Sequence, residues 1–394
     1  MADNNVKKML GKVFNDIADA IETGQFGRKV RVGITTLGSE HGVDNIVKGA
    51  ELAQEKDKSM EVVLIGPKVD TNLEIVEANN EEEAHKKMEK LLDDGDIQSA
   101  VTMHYNFPIG VSTVGRVVTP GKGKEMFIAT TTGTSSPHRV EAMIKNGIYG
   151  IITAKAMGIK NPSVGILNVD GARKVESALK ELNENGYEIN FTESIRADGG
   201  SVMRGNDLLV GTPDVMITDT LTGNLLMKIF SSFTTGGSYE AMGYGYGPGI
   251  GEGYERTIII LSRASGVPVV ANAIQYAADL AKGNIVQTAK EEFNKAKKAK
   301  LDEILKNLKN KDKGTSEDTE EITPPSKEVV TGSISGIDII ELENAVRTLW
   351  KNGIYAESGM GCTGPVVMVS EDKLNKALEV LTKAGYTTKE SDPC

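Results

Sequence analysis

Two cysteines and four histidines are all that 394 residues carry of the side chains most used for metal binding and thiol or imidazole chemistry. Two cysteines cannot build a disulfide framework, so both are expected as reduced thiols in a cytoplasmic protein. Long apolar runs are missing: none approaches the roughly 20 residues that a membrane-crossing helix needs. The opening stretch, MADNNVKKMLGKVFNDIADAIETG, is amphipathic where an export signal would be an apolar block. Positive charge is also short. Lys and Arg number 45 against 55 Asp and Glu, a formal net charge of −10. That balance argues against sequence-independent nucleic-acid binding, which needs clustered cations along the phosphate backbone. The histidines, His41, His85, His104 and His138, follow no ligand spacing, so neither a metal site nor a cofactor is expected. His41 alone is kept as a candidate general acid or base.

Glycine is plentiful, at 43 residues, and concentrates where backbone must approach something closely. The length calls for two or three domains. Residues 1–28 read as an amphipathic helix, with Val6, Met9, Leu10, Val13, Phe14, Ile17 and Ile21 at spacings of three and four, expected to pack on the main body. From residue 29 to 309 short aliphatic runs alternate with helical stretches. VRVGIT (30–35), VVLIG (62–66), AVTMH (100–104), FIATT (127–131), VGILNV (164–169), DVMITD (214–219), TIIIL (257–261) and VPVVAN (267–272) read as strands. Most are apolar on both faces, as buried parallel strands must be. The expectation is a three-layer α/β body of two subdomains, with ligands near the carboxyl ends of the strands. Residues 288–310 read as one charged helix. Residues 310–326, acidic and with two prolines, read as a flexible linker. Residues 327–394 read as a small α+β module.

Two nucleotide-like strings fail. GYGYGPGIGEG (243–253) lacks the strand–turn–helix frame of a dinucleotide site, and GRVVTPGKGK (115–124) has the wrong spacing for a phosphate-binding loop. More informative is DVMITDTLTGNLLMKIF. There Thr222, Gly223 and Asn224 follow a strand and open a helix, whose free N–H groups and dipole suit an oxyanion. Lys228 lies one turn further on. Ser262 and Arg263 end another strand, and a hydroxyl beside a bidentate guanidinium makes a fitting phosphate grip. Ordinary helix capping and a chance Ser-Arg pair explain the same strings blandly.

These motifs resemble those of the phosphotransacetylases and the phosphate acyltransferases. The spacing runs Asp219, Gly223, Asn224, Lys228, then Gly247, Pro248, Glu252, Gly253, then Ser262, Arg263 and Ser265. The first loop, VGITTLGSEHG, is also similar, but Ser39-Glu40 and Thr220-Leu221 replace the Gly-Asp and Gly-Phe of the lipid-pathway enzyme, which speaks against that lipid function. The resemblance covers about residues 29–290. It implies an isocitrate/isopropylmalate-dehydrogenase-like body and a phosphate or acyl-phosphate site that includes Ser265.

SGMGCTGP (358–365) frames Cys362 with Gly359, Gly361 and Gly364. A free thiol, with a pKa near 8.5, is only a few per cent thiolate at neutral pH. Oriented N–H groups or a cation such as Arg263 must activate it. A buried cysteine in a tight glycine turn is the bland reading. Cys394, after Pro393 at the end of the chain, reads as incidental. Body, linker and cysteine module together resemble the alpha-subunit family of component C in glycine/sarcosine/betaine reductase complexes. That resemblance implies a hetero-oligomer with a beta subunit, selenoprotein A as donor of a two-carbon unit, an acetyl thioester on Cys362, and release of acetyl phosphate to inorganic phosphate. The alternatives are a stand-alone phosphate acyltransferase using coenzyme A or a carrier-protein thioester, and a non-catalytic partner-binding paralogue.

Overall fold

The computed structural model describes residues 29–196, 199–312, 323–335, 337, 342–361 and 364–386, together with Gly11, Val13, Phe14, Ile17, Ala18 and Ile21 as isolated helical positions. Most of residues 1–28, residues 313–322 of the expected linker, Cys362 and Cys394 lie outside the described residues.

The body is built on one sheet of 12 strands. At one end β1 (Val30–Thr35), β2 (Met60–Gly66), β3 (Glu74–Glu77), β4 (Ser99–Thr102) and β12 (Ile258–Ile260) run parallel in the order β3–β2–β1–β4–β12. At the other end β6 (Glu125–Thr134), β10 (Val215–Ile217) and β7 (Ser163–Leu167) are parallel, and β7 also carries the short β8 (Asn190–Phe191) and β9 (Val202–Met203). Two antiparallel strands join the halves, β5 (Val111–Val118) and β11 (Gly247–Ile250).

β11 changes partner along its length. Gly247 and Pro248 pair with β12, whereas Gly249 and Ile250 pair with β5. Glycine is required there: Gly247 has φ 90°, and a Cβ on it would lie 1.6 Å from the Val114 carbonyl oxygen. The string first set aside as a poor nucleotide loop is therefore the seam between the two halves.

Helices cover both faces, as buried parallel strands demand. One face takes α1 (Val43–Lys56), α3 (Arg139–Ala156), α4 (Ala172–Glu184), α7 (Val267–Lys282), α8 (Ile285–Lys298) and α9 (Leu301–Asp312), and the other takes α2 (Glu81–Asp93), α5 (Gly205–Val210) and α6 (Thr220–Ser232). The expected three-layer α/β body is what forms. Among the described residues no helix is long and apolar enough to cross a membrane.

Four expectations need correcting. VPVVAN is the first turn and a half of α7, because Gly266 caps a helix that holds Pro268 in its first turn, where a missing N–H costs nothing. The single helix over 288–310 is two, broken at Lys300, which has φ 68°. α9 runs through Asp312, into the start of the expected linker. On the N-terminal segment Val13, Phe14, Ile17 and Ile21 are exposed rather than packed on the body.

The C-terminal residues form a second sheet, β13 (Gly332–Ile334), β15 (Gly364–Val369) and β14 (Ala356–Gly361), antiparallel in the order β13–β15–β14. Side chains alternate faces along a strand. Val367 and Val369 point into a separate core with α10 (Leu342–Lys351) and α11 (Leu374–Lys383). Val366 and Met368 face the other way yet are buried too, so that face is covered by the body. β14 packs against β6, and Asn106 Nδ2, in the loop after β4, donates to Met368 Sδ at 3.8 Å.

Candidate active site

The carboxyl ends of β1, β4 and β12 share one edge of the sheet, and α6, which leaves the oppositely directed β10, runs back to meet the loop after β12. Lys228 projects from α6, and its Nζ donates to Ser262 Oγ at 2.7 Å in the loop after β12. Arg263 follows, in a loose 3.6 Å ion pair with Glu81 at the start of α2. Its Nε–H is buried without an acceptor. Ser265 Oγ donates to Glu240 at 3.4 Å, and Glu240 also accepts from Lys228 Nζ at 2.9 Å. Lys228, Ser262, Arg263 and Ser265, distant in sequence as two groups, thus form one cluster.

The loop carrying three of them is tied down on several sides. Glu40 N donates to Arg263 O at 2.9 Å, Asn45 Nδ2 to Ser265 O at 2.9 Å, and His41 Nε2 lies 3.3 Å from Ala264 O. His41 stands edge-on to Tyr239. Its ring therefore steadies the serine–arginine loop. Two further imidazoles lie behind Arg263. Burial, then the charges of His85 and Arg263, push His104 below its ordinary pKa. Burial pushes His85 down as well, against the pull of Glu81 and Glu89. His138 sits at the N-cap of α3.

Thr222, Gly223 and Asn224 are occupied by structural contacts. The Asp219 carboxylate caps α6, accepting from Thr222 N at 3.1 Å and Thr222 Oγ1 at 2.7 Å, so that N–H does not stand open to an oxyanion. Asp219 also pairs with Arg139 at 3.1 Å. Gly223 lets the helix approach β6, since a Cβ there would lie 1.8 Å from Thr130 O. Asn224 Nδ2 donates to Thr131 O at 3.1 Å. The three fix the helix that carries Lys228. Glu252 and Gly253 stand apart, lining a separate cavity of about 560 Å³ bounded by Tyr149, Phe293 and Leu305, where Glu252 pairs with Lys297.

Glu240 and Glu81, the acidic partners of the two cations, were not singled out from sequence. Glu240 sits in GGSYEAMGYGYG, which carries no motif, and only its burial reveals it; Glu81 is one of three successive glutamates that read as a helix start. Cys362 falls between Gly361 and Gly364, which pair with each other at the end of the β14–β15 hairpin, and is itself outside the described residues.

Residues 30–368 match a family model described as fatty acid synthesis protein. The chain is 68% identical over 382 residues to the glycine/sarcosine/betaine reductase complex component C subunit alpha of Peptoclostridium acidaminophilum, an alignment covering 97% of this chain and 99% of that protein. To the phosphate acyltransferase of Thermotoga neapolitana it is 28% identical over 238 residues, covering 50% of this chain and 68% of the other. Among solved structures, a branched-chain phosphotransacylase from Enterococcus faecalis aligns at 16% identity with a TM-score of 0.45, over 64% of this chain and 99% of that one.

Proposed function

Since the chain belongs to the fatty acid synthesis protein family and, within it, with the alpha subunits of reductase component C, it is an acyltransferase-type enzyme subunit, and we propose that it passes acetyl from a thioester on Cys362 to inorganic phosphate. The complex named for its relative implies partner subunits. In this reading a beta subunit completes component C, and selenoprotein A supplies the two-carbon unit.

The observation that carries the reading is the cluster itself. An ammonium, a hydroxyl and a guanidinium with an unused, buried Nε–H converge at the carboxyl end of β12. Such donors match a tetrahedral oxyanion, and the planar fork of Arg263 adds directional bonds to its charge. Phosphate would take Arg263 and Lys228 as its cations and Ser262 as a neutral donor. Ser265 would hold the loop through Glu240, while Thr222, Gly223 and Asn224 would fix the helix that carries Lys228. The strands that flank Cys362 in sequence belong to a sheet that packs on β6 and on the loop after β4.

The reaction needs no redox partner. A phosphate oxygen attacks the thioester carbonyl carbon; the new C–O bond forms and the C–S bond breaks. The electron pair leaves on Cys362 sulfur, which then takes up a proton. Cations beside the carbonyl favour the negative charge that builds on its oxygen in the transition state. Desolvation of that charge by the docked module strengthens the same interaction.

Arsenate tests the acceptor site, because acetyl arsenate falls apart in water and makes the reaction irreversible. Arg263→Lys keeps the charge and loses the fork, so it should cost about 1–3 kcal/mol in apparent arsenate binding, the range for a charge-assisted hydrogen bond. Ser262→Ala should weaken it as well. If both variants keep the parent's arsenate dependence, phosphate binds elsewhere.

A further inference from the structure

We infer that Glu240 is a positioning residue, holding the Lys228 ammonium against Ser262 so that both meet the same phosphate. This rests on the reading of Lys228 and Ser262 as phosphate ligands. Glu240 is 2% exposed, although it lies in an irregular segment between α6 and β11. One carboxylate oxygen accepts from Lys228 Nζ at 2.9 Å and from Tyr246 OH at 3.0 Å; the other accepts from Ser265 Oγ at 3.4 Å. Its main chain joins the same loop, with Glu240 N donating to Ala264 O at 3.0 Å and Gly266 N to Glu240 O at 2.9 Å.

An ion pair with one partner buried gains little stability, because desolvating that carboxylate offsets much of the attraction. Geometry is the better account of this one. Lys228 is half exposed on a flexible four-carbon stem, and an unanchored ammonium would leave its site in most rotamers. Of its three donors, one goes to Glu240 and one to Ser262, which leaves one for a ligand. Tyr246 supports the carboxylate from behind: burial, then the Glu240 charge, raises its phenol well above the ordinary pKa, so it stays a donor. Glu81 differs in kind. It touches Arg263 at 3.6 Å, is half exposed, and can swing away when an anion arrives.

A double-mutant cycle separates positioning from scaffolding. The assay is arsenate-dependent breakdown of acetyl phosphate by the complete chain with its partner subunits. Glu240→Gln should raise KM for arsenate roughly tenfold, at the lower end for losing a charged hydrogen bond. In a Lys228→Gln background the same change should add nothing. An equal increment in both backgrounds, or no increment in the parent, overturns the inference. Should Glu240→Gln not fold, Tyr246→Phe takes its place: about a threefold rise in the parent and none beside Lys228→Gln, with the same overturning outcomes. If Lys228→Gln alone leaves KM unchanged, the phosphate reading itself falls, and this inference with it.

Discussion

The two places where chemistry is assigned are built to different tolerances. Around the body's seam the main chains are so close that side chains have no room: a Cβ on Gly247 would lie 1.6 Å from Val114 O, and one on Gly223 1.8 Å from Thr130 O. In the small module a Cβ on Gly359 would meet Met368 and Val366 at 3.5 and 3.6 Å, which is ordinary contact. The serine–arginine loop is bonded to α1, to the loop after β1 and to Glu240. The module has its own core and meets the body through β14 on β6 and through Asn106. In the proposed reading the first would be a fixed acceptor site and the second a separately cored donor arm. On that reading phosphate would need to be held in one geometry, whereas the acyl group would first be collected at a surface that a protein donor can reach.

Substitution at matched glycines should sharpen the contrast most. Gly247→Ala combines a positive φ with a backbone clash and should destabilise the protein by about 3 kcal/mol or more. Gly359→Ala should stay within about 0.5 kcal/mol. Chemical denaturation of the two variants checks this, and equal losses would erase the distinction. A smaller effect is expected from shortening residues 313–322. If the module travels between donor and acceptor, removing about ten residues should slow acetyl delivery from the protein donor by roughly tenfold, since a linker that cannot span its sites loses effective concentration. Unchanged delivery would mean the module works from its place on β6 and never leaves it.

Much of the body was legible because buried parallel strands announce themselves as short aliphatic runs; VRVGIT is β1 from end to end. The failures have physical causes. VPVVAN has a strand's composition, but Gly266 and Pro268 set a helix start, and a short apolar run cannot distinguish the two. GPGI reads as a loop, since only its pairing on both sides makes it a strand. β5 was missed because threonine, glycine and arginine interrupt its valines. At the site, Lys228, Ser262 and Arg263 were visible through spacing, and their convergence is tertiary. Glu240 had no signal at all, because burial of a lone glutamate in a glycine-rich loop is decided by what folds around it. For Thr222, Gly223 and Asn224, the string that suits an oxyanion also suits a capped helix in tight contact with a strand, and those contacts are the ones they make.

The central claim is that Cys362 carries acetyl which phosphate accepts. Intact-mass measurement after mixing the protein with acetyl phosphate, in the absence of coenzyme A, tests it most directly. One acetyl group should appear on the parent chain, map to Cys362, vanish on adding arsenate, and be absent from Cys362→Ala but retained by Cys394→Ala. Acetyl on Cys394, on the Cys362→Ala chain, or only when coenzyme A is supplied, would contradict the account.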